Sequence, residues 1–219
     1  MSPFRLALFD FDGTLADSRD WFLGVFDQVA DRFGYRRLGP GDRERLRGLD
    51  ARAILRDLEI PLWKLPLIER HMRALVTRDI DRIAPFPGVP AMLADVAARG
   101  IRIAVVTSNT EANVRRVLGP AAGSVERFAC GAGLFGKAAK LRAVLRAMRI
   151  EPGDALVIGD EARDIEAARA VGAASGAVAW GYADPAFLRS LHPTLFFERV
   201  EHIAAALAFR SRTEFPSFQ

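Results

Sequence analysis

The sequence predicts an α/β protein: a doubly wound parallel sheet, interrupted early by an inserted all-helical segment. Three observations carry that expectation. An apolar run over residues 6–9 ends in two aspartates, Asp10 and Asp12. Residues 16–83 show helical spacing with no strand pattern. From Pro90 onward, short apolar runs alternate with amphipathic stretches, the rhythm of parallel strands joined by right-handed crossovers.

Residues 6–9 read as a strand buried on both faces, because an apolar run without alternation suits the middle of a parallel sheet. Side chains alternate along a strand, so Asp10 and Asp12 point the same way if the strand continues, and Gly13 then permits a sharp turn. Two carboxylates about 4 Å apart repel by roughly 4 kcal/mol at an effective dielectric of about 20. Such a tip holds a shared proton or a hard cation, or it is only an Asx-rich turn. Trp21, Phe22, Val25, Phe26, Val29 and Phe33 recur at helical spacing, and Gly34 ends that helix. Further helices are expected over 41–49, 51–58 and 61–82, and Pro85, Pro87, Gly88 and Pro90 mark the return to the sheet.

Next come a helix over 91–99, a strand over 101–106, a helix ending near 118 and a weaker strand over 125–130. A glycine-rich turn over 131–136 leads into an amphipathic helix over 137–148. A strand over 155–158, a helix ending at 171, strands over 177–180 and 195–197 and a helix over 200–209 follow, before an irregular tail after Arg210.

The 219 residues are enough for a substantial core, either as one domain or as a domain with an insert. Neither a signal peptide nor a membrane span is visible. Cys130 is the only cysteine, which excludes an internal disulfide and fits a reducing cytoplasm. The net charge is +4, but the arginines are scattered and Lys64, Lys137 and Lys140 are the only lysines. Nucleic-acid binders show longer basic blocks or interleaved aromatics, so no nucleic-acid partner is expected.

Function in open α/β sheets gathers beyond the carboxyl ends of the strands. Those ends carry Asp10 and Asp12, Thr107 with Ser108 and Asn109, and Asp160 with Asp164, while Lys137 heads a nearby helix. This set resembles the haloacid dehalogenase superfamily, in its phosphoglycolate phosphatase-like branch with a helical C1-type cap. Asp10-Phe-Asp12-Gly-Thr14 matches the first motif and Val105-Val106-Thr107-Ser108-Asn109 the second. Lys137 is the candidate for the third, although Ala138 follows it where the family often has proline, and Lys140 lies one turn on. Gly159-Asp160-x-x-x-Asp164 matches the fourth.

The resemblance implies a Rossmann-like core over 1–15 and 84–219 and a helical cap domain over 16–83. It also implies a phosphatase that uses Mg2+ and acts on small phosphorylated metabolites through an aspartyl-phosphate. Asp10 is then the nucleophile and Asp12 the general acid and base. Asp10, Asp160 and the Asp12 carbonyl hold the ion, with Asp164 behind them orienting the ligands. Thr107 and the backbone N–H groups of Ser108 and Asn109 hold phosphoryl oxygens, and Lys137 neutralises the crowded charge. Arg47, in the turn Arg47-Gly48-Leu49-Asp50, falls where related phosphatases select their substrate. It either grips a carboxylate or second phosphate there or sits solvated at a helix end.

Plainer readings stand beside these. Ser108 with Glu111 fits a capping box, and Asp160 fits a helix cap. Gly131-Ala-Gly133-Leu-Phe-Gly136 fits a dinucleotide fingerprint but follows a poor strand, and Ala138 spoils the match to a P-loop. The alternative functions are a phosphomutase on the same core, or a phospho-accepting signalling domain. The signalling reading is disfavoured because D-x-D-G-T ends the first strand and a large insert follows. The expected protein is a monomer or homodimer.

Overall fold

The computed structural model describes residues 4–131, 133 and 136–207. The chain begins with β1 (Leu6–Phe9) and β2 (Ala16–Asp17), then α1 (Arg19–Phe33), α2 (Asp42–Arg45), α3 (Ala51–Asp57) and α4 (Leu65–Arg78). It continues through β3 (Ala84–Pro85), α5 (Val89–Ala98), β4 (Arg102–Val106), α6 (Glu111–Leu118), β5 (Arg127–Ala129) and α7 (Lys137–Met148). It closes with β6 (Ala155–Gly159), α8 (Ala162–Val171), β7 (Ala174–Val178), α9 (Pro185–Ser190), β8 (Leu195–Phe197) and α10 (His202–Leu207). The predicted glycine-rich turn falls partly outside the described residues, as do positions 208–209 of the last helix and the tail.

Six strands form one parallel sheet in the order β5-β4-β1-β6-β7-β8. The α/β class and the parallel, doubly wound sheet are therefore as the sequence predicts. Strand β1 sits between β4 and β6, with Leu8 level with Ala104 on one side and Val157 on the other. The winding reverses at this strand, which opens a crevice beyond its carboxyl end.

The period-two pattern divides the core into two layers. Ala7, Phe9, Ile103, Val105, Leu156 and Ile158 pack with Leu93 and Val96 of α5, Val114 of α6 and Ile203 of α10. Leu6, Leu8, Ala104, Val106, Ala155 and Val157 face the other way, onto Leu141 and Leu145 of α7 and Ala168 of α8. Every residue of β1 is buried, which is why its sequence is an unbroken apolar run.

Two expectations shift. The segment expected to be helical from residue 16 opens instead on β2, which pairs antiparallel with β3: Ala16 lies opposite Pro85 and Asp17 opposite Ala84. Two-residue strands carry too little periodicity to register in the sequence. The strand expected over 177–180 lies at Ala174–Val178. Its first three residues, Ala174, Ser175 and Gly176, are small, and Phe197 of β8 covers the last of them: a Cβ on Gly176 would meet Phe197 Cε2 at 2.8 Å. Small residues give no apolar signal, so the strand reads late.

Between β2 and β3 the helices build a core of their own, in which Phe26, Ala30, Leu46 and Leu58 pack together. Asp50 caps α3, its side chain accepting from Ala53 N at 2.8 Å. One aromatic pair bridges to the sheet side: the Phe22 ring of α1 meets Tyr182, beyond β7, edge-on at 5.7 Å.

Candidate active site

Strands β1, β4 and β6 are neighbours, so Asp10, Thr107 and Asp160 emerge side by side at one edge of the sheet. Asp10 is buried beyond the end of β1, and its Oδ1 accepts from Phe11 N at 2.8 Å. Lys137, at the first position of α7, is buried with its Nζ 2.7 Å from Asp10 Oδ2 and in contact with Asp164 Oδ1. Burial opposes its charge, but Asp10 and Asp164 hold the ammonium above the ordinary lysine range. The structure thus brings Lys137, not Lys140, to the site; Lys140 Nζ donates to the carbonyl of Cys130.

Asp160 is fully buried. Its Oδ1 accepts from Thr14 Oγ1 and its Oδ2 from Tyr182 N, both at 2.8 Å. Burial, then Glu161, Asp10 and Asp164, push its carboxyl well above the usual carboxylate range. It is not the helix cap that its position suggested. Glu161 is the N-cap of α8 in a capping box with Asp164, whose Oδ2 accepts from Glu161 N at 3.0 Å. Asp164 folds back so tightly that a Cβ on Gly159 would lie 2.2 Å from its carboxyl carbon. Gly159→Ala is therefore expected to displace Asp164 and disturb Lys137, costing about 1–3 kcal/mol in a denaturant melt and lowering activity. An unchanged melting midpoint with full activity would contradict that packing.

One oxygen each from Asp10, Asp160 and Asp164 lies within 4.8 Å of the others. Three converging, buried carboxylates make an all-oxygen donor set, the chemistry a hard divalent cation selects. Lys137 beside them, with Arg163 nearby but shared with Glu161, leaves the cluster short of positive charge. These residues fit a metal ion. The carboxylate of Asp12 is not part of this cluster. It faces Asn109, whose Nδ2 donates to Asp12 Oδ2 at 3.2 Å, and burial together with Asp10 pushes its pKa up to about 6. A carboxyl so placed exchanges a proton near neutrality.

The 107–110 segment differs from its capping-box expectation. Helix α6 begins at Glu111 and is capped by Thr110, which accepts from Asn113 N at 3.2 Å; Ser108 does not cap it. The intervening residues are held differently. Thr107 Oγ1 accepts from Asn109 N at 3.0 Å, and Asn109 Oδ1 accepts from Thr110 N and Asn113 Nδ2, each at 2.9 Å. That turn holds Asn109 against Asp12 and puts Ser108 on the wall of the adjoining cavity.

Arg47 also lines this cavity, but each of its three nitrogens already has an acceptor. Nε donates to the Tyr182 carbonyl at 3.0 Å, Nη2 to that of Ala183 at 3.4 Å, and Nη1 pairs with Glu44 at 3.2 Å. It links the inserted helices to the loop after β7 and is not a solvated helix end.

The family question is settled by the span of the match. Residues 7–178 match the haloacid dehalogenase-like hydrolase family, well over half the chain. The chain belongs to the haloacid dehalogenase-like hydrolases. This hydrolase is 28% identical to a phosphoglycolate phosphatase of Synechococcus elongatus over 203 residues, covering 91% of this chain and 95% of that one. It is also 28% identical to the tyrosine-protein kinase PtkA of Mycobacterium tuberculosis, over 87% of this chain and 67% of the relative. Its fold matches a crystal structure of a putative phosphoglycolate phosphatase from Lactobacillus plantarum at a TM-score of 0.78. That likeness covers 93% of this chain and 99% of the other at 20% identity. The hydrolase is thus of the phosphatase kind, similar to phosphoglycolate phosphatases. No helix among the described residues is long and apolar enough to cross a membrane.

Sequence reasoning missed four residues of this site. Arg163 approaches Asp10 Oδ2 at 3.9 Å and pairs with Glu161, both inside the fourth motif at positions the motif leaves open. Tyr182 gives its N–H to Asp160, and its hydroxyl meets Ser18 Oγ at 2.9 Å. Nothing in local spacing flags Tyr182 or Ser18, because they meet only once β7 lies beside β6.

Proposed function

We propose that this hydrolase is a magnesium-dependent phosphatase that cleaves small phosphate monoesters through a phosphorylated Asp10. One arrangement carries the reading: Asp10 at the tip of the central strand, with Lys137 against one oxygen and the buried carboxylates of Asp160 and Asp164 beside it. On this reading an Asp10 oxygen attacks phosphorus and the ester P–O bond breaks, while Asp12 gives a proton to the leaving alkoxide. Water then attacks the phospho-aspartate, Asp12 takes its proton, and phosphate departs. Thr107 and the N–H groups of Ser108 and Asn109 hold the phosphoryl oxygens, and Lys137 offsets the charge that collects between carboxylate and phosphate.

Magnesium held by Asp10, Asp160 and the Asp12 carbonyl, with Asp164 orienting, would supply electrostatic stabilisation of the phosphoryl oxygens. The segment 16–83, helical beyond β2, serves as a cap domain above a core of 1–15 and 84–219, and it excludes macromolecules and bulk water. The test is orthophosphate release from an aryl phosphate. EDTA is expected to lower the rate by about 100-fold or more, and added Mg2+ to restore it. Full activity in EDTA would remove the metal from the mechanism.

A further inference from the structure

A cavity of about 380 Å³ runs from Asp12, Asn109 and Arg163 up between the inserted helices. That volume suits a drug-sized ligand rather than a two-carbon fragment, since ligand clefts span roughly 300–1,000 Å³. Its upper walls are apolar: Phe22, Phe26, Leu46, Ile54, Leu58 and Met72 all line it.

Most cations around it are already engaged. Arg19 and Arg47 pair with Glu44, Arg73 with Glu69, and Arg163 with Glu161; Arg43, an exposed residue, is the one lining arginine without an ion pair among the described residues. Arg47, the residue placed to grip an anion, also donates to two backbone carbonyls, so each of its three nitrogens already has an acceptor. A second carboxylate on a substrate would have to break one of these pairs, reach out to the exposed Arg43 where solvent screens the attraction, or lie desolvated against hydrocarbon, and none of these gains much. An apolar group would instead leave water for a surface that offers it few hydrogen bonds.

We infer that the substrate is the phosphate monoester of an apolar alcohol, its alkyl or aryl group seated under the inserted helices and its phosphate at Asp10. The inference rests on the phosphatase reading above and names the class of leaving group that the site selects. It places this chain apart from a compact acidic substrate such as the one in its relatives' name.

The test compares ethyl, butyl and hexyl phosphates with phosphoglycolate, by kcat/KM for phosphate release in Mg2+. Each buried methylene is expected to raise kcat/KM about fourfold, so hexyl phosphate exceeds ethyl phosphate by roughly 100-fold or more. Ile54→Gln, at the half-buried cavity wall, is expected to reduce the hexyl-to-ethyl ratio severalfold. A flat series, or phosphoglycolate as the best substrate, overturns the apolar seat while leaving the phosphatase reading intact. If no ester is hydrolysed the phosphatase reading fails, and calorimetric binding of hexylphosphonate against ethylphosphonate then decides the seat alone. Tighter binding of the hexyl compound supports it, and equal binding overturns it.

Discussion

Asp10→Asn is expected to lower kcat by about 10⁴-fold or more. The amide is nearly the same shape as the carboxylate and still accepts from Phe11 N through its oxygen, so the substitution removes nucleophilicity with little change in packing. It also removes one of the two carboxylates against Lys137, while Asp164 keeps the ammonium paired. Substrate binding is therefore expected to survive better than turnover. Rapid-quench measurement of phosphate release checks this, together with mass spectrometry for a phosphoryl group on the wild-type chain. A mutant that turns over at the wild-type rate would mean that phosphorus is attacked by something other than Asp10.

Lys137→Met is expected to act on folding and chemistry together. Methionine fills most of the same volume but strips the counter-charge from two buried carboxylates. Breaking a buried pair by removing one partner costs about 3–5 kcal/mol. The loss of electrostatic stabilisation at the phosphoryl group is expected to lower kcat by about 10²- to 10³-fold. Lys140→Met is the control. Its ammonium serves the Cys130 carbonyl near the protein surface, and its effect on kcat/KM is expected to stay within about threefold. Urea melts and steady-state kinetics on both variants separate the two lysines. A larger kinetic effect at 140 than at 137 would reverse the assignment.

The sheet and the identity of its carboxyl-terminal edge were legible in the sequence because their signals are local. Buried strands are short apolar runs, and the residues just past them, Asp10, Thr107 and Asp160, are polar by contrast. Their convergence follows from strand order, which alternating strands and helices strongly constrain. The parts that were not legible depend on distant contacts. Ser108 matched a capping box by spacing alone, yet Asn109 and Asn113 hold the turn one residue further on and Thr110 takes the cap. Arg47 offered a charge at a plausible place, but the carbonyls that engage it lie 135 and 136 residues away. The Glu161–Arg163 pair sat in view at open motif positions, and only burial beside Asp10 gave it meaning.

The short ribbon of β2 and β3 has a consequence for how such a chain diversifies. Asp17 lies opposite Ala84, so the two ends of the intervening stretch enter and leave at facing residues. A direct turn between them would close at small entropic cost. The interlude is thus a cassette on a two-rung clasp. It can be lengthened, exchanged or grafted from another chain without re-registering any of the five strand pairings of the sheet that sets Asp10 beside Asp160. If the inserted helices choose the substrate as proposed, selectivity and reactivity sit on separately replaceable pieces of one polypeptide.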